Sequence, residues 1–234
     1  MFSSPWFRSL NYELLRLLFT CIHHTPSRVD IAQEFIFNPL LSTWIFGCFF
    51  YLFWTKEDDQ KLFRRYYLAI SVIALAIASL ITLLLRPIVY WPAPSVDRDF
   101  QRLFPGYLWG TGVSNCFPSH STLVYFTIAA GFWPLNRRIS ISLSAVTLLF
   151  ISLPRVYEGG HYPIDVVFSC LLATAVLYAL WCGLSPLRSR LTNPKLLGGH
   201  HLDSIFFLFV FELAEGFRGT QLLVMTAWHA LFHR

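Results

Sequence analysis

The chain has 234 residues, 55% of them hydrophobic and 18% aromatic, with only 13% charged, against roughly 25% charged in soluble domains. A soluble core cannot absorb that much apolar surface, and the apolar residues run in stretches of about 17 to 21 without charge, the length that crosses a hydrocarbon core of about 30 Å as helix. The formal charge of +5 sits in short basic clusters between those stretches, where membrane helices are oriented, so nucleic acid is excluded as a partner.

Residues 6–22 (WFRSLNYELLRLLFTCI) place Leu10, Leu14, Leu15 and Leu18 on one helical face and Arg8, Asn11 and Glu13 on others, the pattern of a helix lying in the interface. The start, Met1 to Leu10, lacks the charged, apolar and small-residue succession of a removable signal, so this segment is expected to stay. A first span is predicted over Ile36–Trp54 and a second over Tyr66–Leu85, joined by the charged turn TKEDDQKLFRR. From Arg86 to Phe117 the chain is rich in Pro, Gly, Trp and charge, which predicts a functional loop over the membrane surface. Further spans are predicted over Ser119–Trp133, Ile139–Leu153 and Ile164–Trp181, the last two joined by the loop PRVYEGGHYP. In the tail from His200 to Arg234 the apolar run IFFLFVF ends at Glu212 and Glu215, which predicts a short or partly inserted helix and then an amphipathic one.

The fold class expected is therefore all-α: a polytopic membrane helix bundle of five or six spans plus an N-terminal interfacial helix. No internal repeat or low-complexity linker divides it. One membrane domain over 1–234 is expected, with an interfacial segment at 1–35, a catalytic bundle at 36–182 and a tail at 183–234. The five cysteines, Cys21, Cys48, Cys116, Cys170 and Cys182, show neither a CxxC pair nor a disulfide-like spacing and read as small core residues. Lys56, Lys61, Arg64 and Arg65, then Arg137 and Arg138, then Arg188, Arg190 and Lys195 all fall on one side of this topology, which the positive-inside rule makes cytoplasmic. The Arg86–Phe117 and Pro154–Pro163 loops then share the outward face.

The polar residues of that face carry the chemistry. In Arg155-Val-Tyr-Glu-Gly-Gly-His161-Tyr-Pro-Ile-Asp165, His161 and Asp165 are four apart at a helix start and can share a face. An aspartate bonded to one ring nitrogen fixes the tautomer and leaves the other nitrogen to attack. Gly159 and Gly160 let backbone approach an anion, and Arg155 offers a planar fork of donors to phosphate oxygens. The alternative is structural: an Arg155–Asp165 ion pair, with His161 bonded to a loop carbonyl. Two more elements face the same side, Arg86-Pro87 and Pro118-Ser119-His120-Ser121. Arg86 either binds phosphate or snorkels to the interface. Ser119 caps a helix start whose N–H groups face any bound anion, and His120 is placed either as a proton donor to a leaving oxygen or as a polar cap residue.

On these residues the chain resembles the type 2 phosphatidic acid phosphatase superfamily, whose motifs have the form K-x6-R-P, P-S-x-H and S-R-x5-H-x3-D. The resemblance covers roughly residues 11–182. Arg155, His161 and Asp165 match the third motif, with Pro154 where serine is usual. Ser79 stands at the lysine position of the first motif, and in the second His120 follows Ser119 directly, one residue early, an offset of about 100° on a helix. The resemblance implies a membrane phosphatase acting on a lipid phosphate or diphosphate, undecaprenyl diphosphate being favoured, in a bacterial inner membrane with its site facing outward. It implies catalysis by His161 through a phosphohistidine, with Asp165 orienting the imidazole, Arg86, Arg155 and Ser119 holding phosphoryl oxygens and His120 protonating the leaving group. No cofactor is expected, and no carboxylate cluster suited to magnesium stands in the sequence. The rival expectation is an impaired relative that binds lipid phosphates without hydrolysis, suggested by Ser79 and the shortened second motif.

Overall fold

The computed structural model describes residues 5–22, 39–85, 88–103, 115–192 and Asp203. All regular structure among them is helical. In chain order the elements are α1 (Pro5–Ile22), α2 (Pro39–Thr55), α3 (Lys61–Leu85), the short α4 (Arg98–Leu103), α5 (His120–Gly131), α6 (Arg137–Tyr157) and α7 (Pro163–Leu184), then a 3-10 turn at Ser185–Leu187 and one more turn, α8, at Arg188–Leu191. The protein is an all-α integral membrane protein. Three described helices are long and apolar enough to cross a bilayer, Lys61–Leu85, Arg137–Tyr157 and the continuous stretch Pro163–Leu191. The span expected over Ser119–Trp133 is a helix of 12 residues, about 18 Å at about 1.5 Å per residue, short of the roughly 30 Å core. The tail from His200, Asp203 apart, lies outside the described residues.

The described residues fall into two packed units, one within 1–38 and 69–184, the other within 39–68 and 185–234. In the second unit Arg64 and Arg65, two of the basic residues of the first turn, are buried. Arg64 donates to the carbonyls of Phe53 (3.0 Å) and Lys56 (2.6 Å) and to Asp58. Arg65 donates to the Trp54 carbonyl and to Asp203 and lies over the Trp54 ring. The last carbonyls of α2 have no partner inside their helix, and these two guanidinium groups supply one.

The first unit holds the loops. Near the far end of α5 Gly131 meets Ser71 of α3, and a Cβ at Gly131 would lie 2.0 Å from the Ser71 hydroxyl oxygen, so only glycine allows this approach. Asn136 starts α6, its side chain accepting from the N–H groups of Arg138 and Ile139. Inside α6 the residues Thr147–Ser152 take a π turn, a feature that often accompanies functional sites. At the loop end a core cluster gathers Leu15, Phe19, Trp91, Phe100, Cys116, Phe117, Tyr157 and Tyr162. Helix α1 joins that cluster through half of the expected face, Leu15 and Leu18, together with Tyr12 and Phe19. Asn11, Leu15 and Phe19 are buried, while Trp6, Leu10, Leu14 and Leu17 form an exposed apolar stripe. Aromatic partners at the loop core, such as Phe100 at 5.1 Å from the Tyr12 ring, select that face over the leucine stripe.

Candidate active site

The loop between α6 and α7 is shaped by its own backbone. The Arg155 carbonyl accepts from Gly160 N–H (2.9 Å) and His161 N–H (3.2 Å), turning the chain back at the end of α6. Gly159 holds φ 77°, a left-handed conformation open to glycine at little cost, and its carbonyl accepts from Ser95 N–H at 3.0 Å. Pro163 starts α7, where its missing N–H costs no helical bond. Asp165, with no exposed surface, accepts the Tyr162 N–H on Oδ2 at 2.8 Å, and its own N–H donates to the Tyr162 carbonyl at 3.0 Å. This reciprocal closure fixes the carboxylate at the positive end of α7.

His161 stands beside it. Its Nδ1 lies 3.7 Å from Asp165 Oδ2, beyond hydrogen-bond range, and both His161 Nδ1 and Asp165 Oδ1 are buried with no hydrogen-bond partner. Leaving such an atom unsatisfied costs about 1–3 kcal/mol, and rotations of well under 1 Å at each side chain would pair the two residues. Cys116, read from sequence as a core residue, does belong to the core cluster. It also completes a buried trio in which one imidazole nitrogen, the Cys116 Sγ and one Asp165 oxygen all lie within 4.8 Å of one another. Burial, and after it the Asp165 charge, push the Cys116 thiol well above its ordinary range, so it stands there as a neutral thiol.

Arg155 is half-buried, and its charge faces Glu158 and Tyr125. The alternative Arg155–Asp165 pairing gives way to this arrangement, because Asp165 is taken by the Tyr162 N–H. Glu158 is buried, with Oε2 unpartnered. Burial pushes its carboxyl up to about 7, the Arg155 charge partly opposing the shift.

Ser119 is the N-cap of α5, as expected, but its side chain makes no capping bond. Its Oγ lies 3.0 Å from Thr122 Oγ1, which lies 2.8 Å from Ser152 Oγ, which donates to the Thr147 carbonyl at 3.1 Å. A hydroxyl has one proton, so the chain has one direction: Ser119 donates to Thr122, Thr122 to Ser152, Ser152 to the carbonyl. All four residues are buried. The second motif is thereby tied to the π turn of α6. His120 is the half-buried first residue of α5. Ser79 has its hydroxyl buried without a partner in α3. Arg86 lies outside the described residues.

Residues that the sequence reading passed over tie the loops together. Asp97 Oδ2 accepts from Tyr162 OH and from Tyr12 OH, each at 2.8 Å, and Oδ1 accepts the Asp99 N–H at 3.0 Å at the start of α4. Burial first, and then Asp97, pushes the Tyr162 phenol far above its ordinary value and keeps it a donor. Cys116 N–H donates to the Trp91 carbonyl at 3.0 Å, and Asn115 donates to the Val89 carbonyl at 3.1 Å. The two loops expected on one face are thus bonded to each other. A signal for Tyr162 existed in its position beside His161; nothing in the sequence marked Asp97, Thr122 or Ser152.

A family model described as the PAP2 superfamily matches residues 65–188. The undecaprenyl-diphosphatase BcrC of Bacillus subtilis (strain 168) is 28% identical over 176 residues, 71% of this chain and 80% of that protein. The bacitracin transport permease protein BcrC of Bacillus licheniformis is 27% identical over 95 residues, 40% of this chain and 41% of that protein. No solved structure matches the chain.

Proposed function

The chain belongs to the PAP2 superfamily and is a membrane lipid phosphatase, and from that premise we propose that it hydrolyses undecaprenyl diphosphate through a phosphohistidine on His161. The observation that carries the proposal is the buried His161–Asp165 pair, 3.7 Å apart with Nδ1 and Oδ1 unpartnered, at a loop whose backbone is held on three sides. The name of the Bacillus subtilis relative supports the substrate.

In the reaction Asp165 takes the Nδ1 proton as a hydrogen bond when the gap closes, apo catalytic bonds often being long. Nε2 then attacks phosphorus. The N–P bond forms as the bridging P–O bond breaks, and His120 protonates the departing phosphate oxygen. Arg155 and Arg86 bind the non-bridging oxygens, where charge develops. Water then attacks the phosphohistidine, breaking the N–P bond and releasing inorganic phosphate, while His120 takes the proton of the water. The site faces outward from a bacterial inner membrane, with the basic clusters inside, and the whole chain works as one membrane domain.

The non-hydrolysing alternative raised by Ser79 and the short second motif is not favoured, since the relative matched over 80% of its length is named as a diphosphatase. The test is phosphate release by the detergent-purified protein, with chelator present, from undecaprenyl diphosphate and from phosphatidic acid, wild type against His161→Ala. Release from the diphosphate that needs His161 and persists in chelator is expected. Equal activity in the variant would remove His161 as nucleophile, and a preference for phosphatidic acid would replace the substrate.

A further inference from the structure

Cys116 has no part in the proposed chemistry, yet it stands against the two residues that do. One imidazole nitrogen of His161, the Sγ of Cys116 and one carboxylate oxygen of Asp165 lie within 4.8 Å of one another, all three residues buried. Thiolate, imidazole and carboxylate are the donor set of zinc, with bonds of about 2.0–2.3 Å, and its softer, larger congener cadmium takes the same donors. Two donors bonded to one zinc ion stand roughly 3.3–3.8 Å apart. The Nδ1–Oδ2 separation of 3.7 Å already falls there, and the remaining gaps close with small side-chain rotations.

Two atoms of these residues point to a missing ligand independently of their grouping. His161 Nδ1 and Asp165 Oδ1 are buried without a hydrogen-bond partner, and Asp165 has no exposed surface at all. The backbone behind them is fixed: Cys116 N–H is bonded to the Trp91 carbonyl, and Asp165 is closed against Tyr162. The side chain of His161 keeps a tenth of its surface exposed, which gives an ion an edge to enter by.

We infer that Cys116, His161 and Asp165 form a capture site for a soft divalent cation, zinc or cadmium, distinct from the metal-independent chemistry and mutually exclusive with it. Binding removes the thiol proton of Cys116 to solvent, places the metal on the ring nitrogen that faces Asp165, and leaves a fourth coordination position for water. The nucleophile is then held by the metal and no longer by the aspartate. The inhibitory consequence rests on the proposed role of His161; the binding site itself does not.

The experiment uses the full chain in detergent, with a phosphine reductant and no substrate. Cadmium is titrated while thiolate-to-metal absorption in the ultraviolet and binding heat are followed. Three proteins are compared: wild type, Cys116→Ser, and a variant with Cys21, Cys48, Cys170 and Cys182 changed to Ser. The expected result is one thiolate–cadmium equivalent in wild type and in the variant that keeps Cys116 alone, with affinity at least about tenfold weaker and the absorption gone in Cys116→Ser. Absorption that persists in Cys116→Ser, or that is missing from the variant keeping only Cys116, overturns the site. Phosphate release in chelator, measured on the same wild-type preparation, reports on the proposed phosphatase chemistry separately, so failure of one reading is not mistaken for failure of the other.

Discussion

Along α5 and the π turn of α6, the hydroxyls of Ser119, Thr122 and Ser152 each donate to the next acceptor and end on the Thr147 carbonyl, whereas at the loop that follows the same helix His161 Nδ1, Asp165 Oδ1 and Glu158 Oε2 are buried with no hydrogen-bond partner. Both regions are polar and both are enclosed. In the first, every hydroxyl proton is used, which is the condition for a rigid buried network. In the second, polar atoms are held ready at a cost of about 1–3 kcal/mol each, a cost that a charged ligand removes on binding. In the mechanism we propose, the hydroxyl chain positions and the loop reacts. Each of the following measurements strains that division at a different point.

The largest effect is expected at the loop. His161→Ala should lower kcat by a factor on the order of 10⁴, while the loss of stability is confined to the packing of the buried ring, since Nδ1 gives up no hydrogen bond. Asp165→Asn removes the charge that stabilises the imidazolium form and disturbs the closure on Tyr162, and a loss of roughly 10²–10⁴ in kcat is expected. A variant at either position that loses stability but keeps its turnover would move that residue from the reacting region to the framework.

How much of this division is legible in the sequence follows from the range of each interaction. His161 and Asp165 are four residues apart, and although α7 begins only at Pro163, the tight closure of Asp165 on Tyr162 keeps so short a separation close in space. The apolar runs at Tyr66–Leu85, Ile139–Leu153 and Ile164–Trp181 read directly as helices because length and hydropathy decide them. The hydroxyl chain joins positions 30 residues apart and depends on a π turn that no periodicity announces. Asp97 reaches Tyr162 across 65 positions, through a loop with no regular pattern. Part of the buried face of α1 escapes for a related reason: leucine spacing reports an apolar stripe but not whether protein or lipid covers it. Glu158 reads as an ordinary loop carboxylate, because burial is a property of the fold.

A middle-sized effect is expected where framework and reacting loop meet. Tyr162→Phe deletes the phenol that donates to Asp97 at 2.8 Å but keeps the backbone N–H that holds Asp165. Losing a hydrogen bond to a charged acceptor costs about 1.5–3 kcal/mol, so denaturant midpoints should fall accordingly. If the division holds, KM stays near wild type and kcat falls by no more than roughly tenfold, the effect of a small displacement of Asp165.

Glu158 supplies the pH dependence. Its carboxyl, ordinarily near 4.5, is pushed up to about 7 by burial. Between those values the folded protein holds a proton that the unfolded chain releases, so the contribution to stability is fully present below about 4.5 and is lost as pH rises through about 7. Glu158→Gln should flatten that slope and leave the variant more stable at pH 8 by about 1–3 kcal/mol, a tenfold change in proton affinity being worth about 1.4 kcal/mol. The same carboxylate faces Arg155. Its ionisation opposes phosphate binding there, so KM should fall as pH drops through about 7 in wild type and lose that change in Glu158→Gln. An unchanged pH–stability profile in the variant would show that Glu158 is ionised in the folded protein.

The smallest effect tests the hydroxyl chain itself. Thr122→Val preserves shape and deletes the central link, so Ser119 loses its acceptor while Ser152 keeps the Thr147 carbonyl. One neutral hydrogen bond removed in this way costs about 0.5–1.5 kcal/mol. In the intact chain the single proton of Ser119 is committed to Thr122, and the hydroxyl can donate to a phosphoryl oxygen only by breaking away. If Ser119 is a phosphate ligand, Thr122→Val removes that competition and KM falls, by a few-fold at most. If Ser119 serves only to fix the start of α5 against α6, the variant raises KM and lowers kcat together, because the helix start that carries His120 has lost its tether. The direction of a change in KM therefore decides whether the second motif touches substrate or holds the group that does.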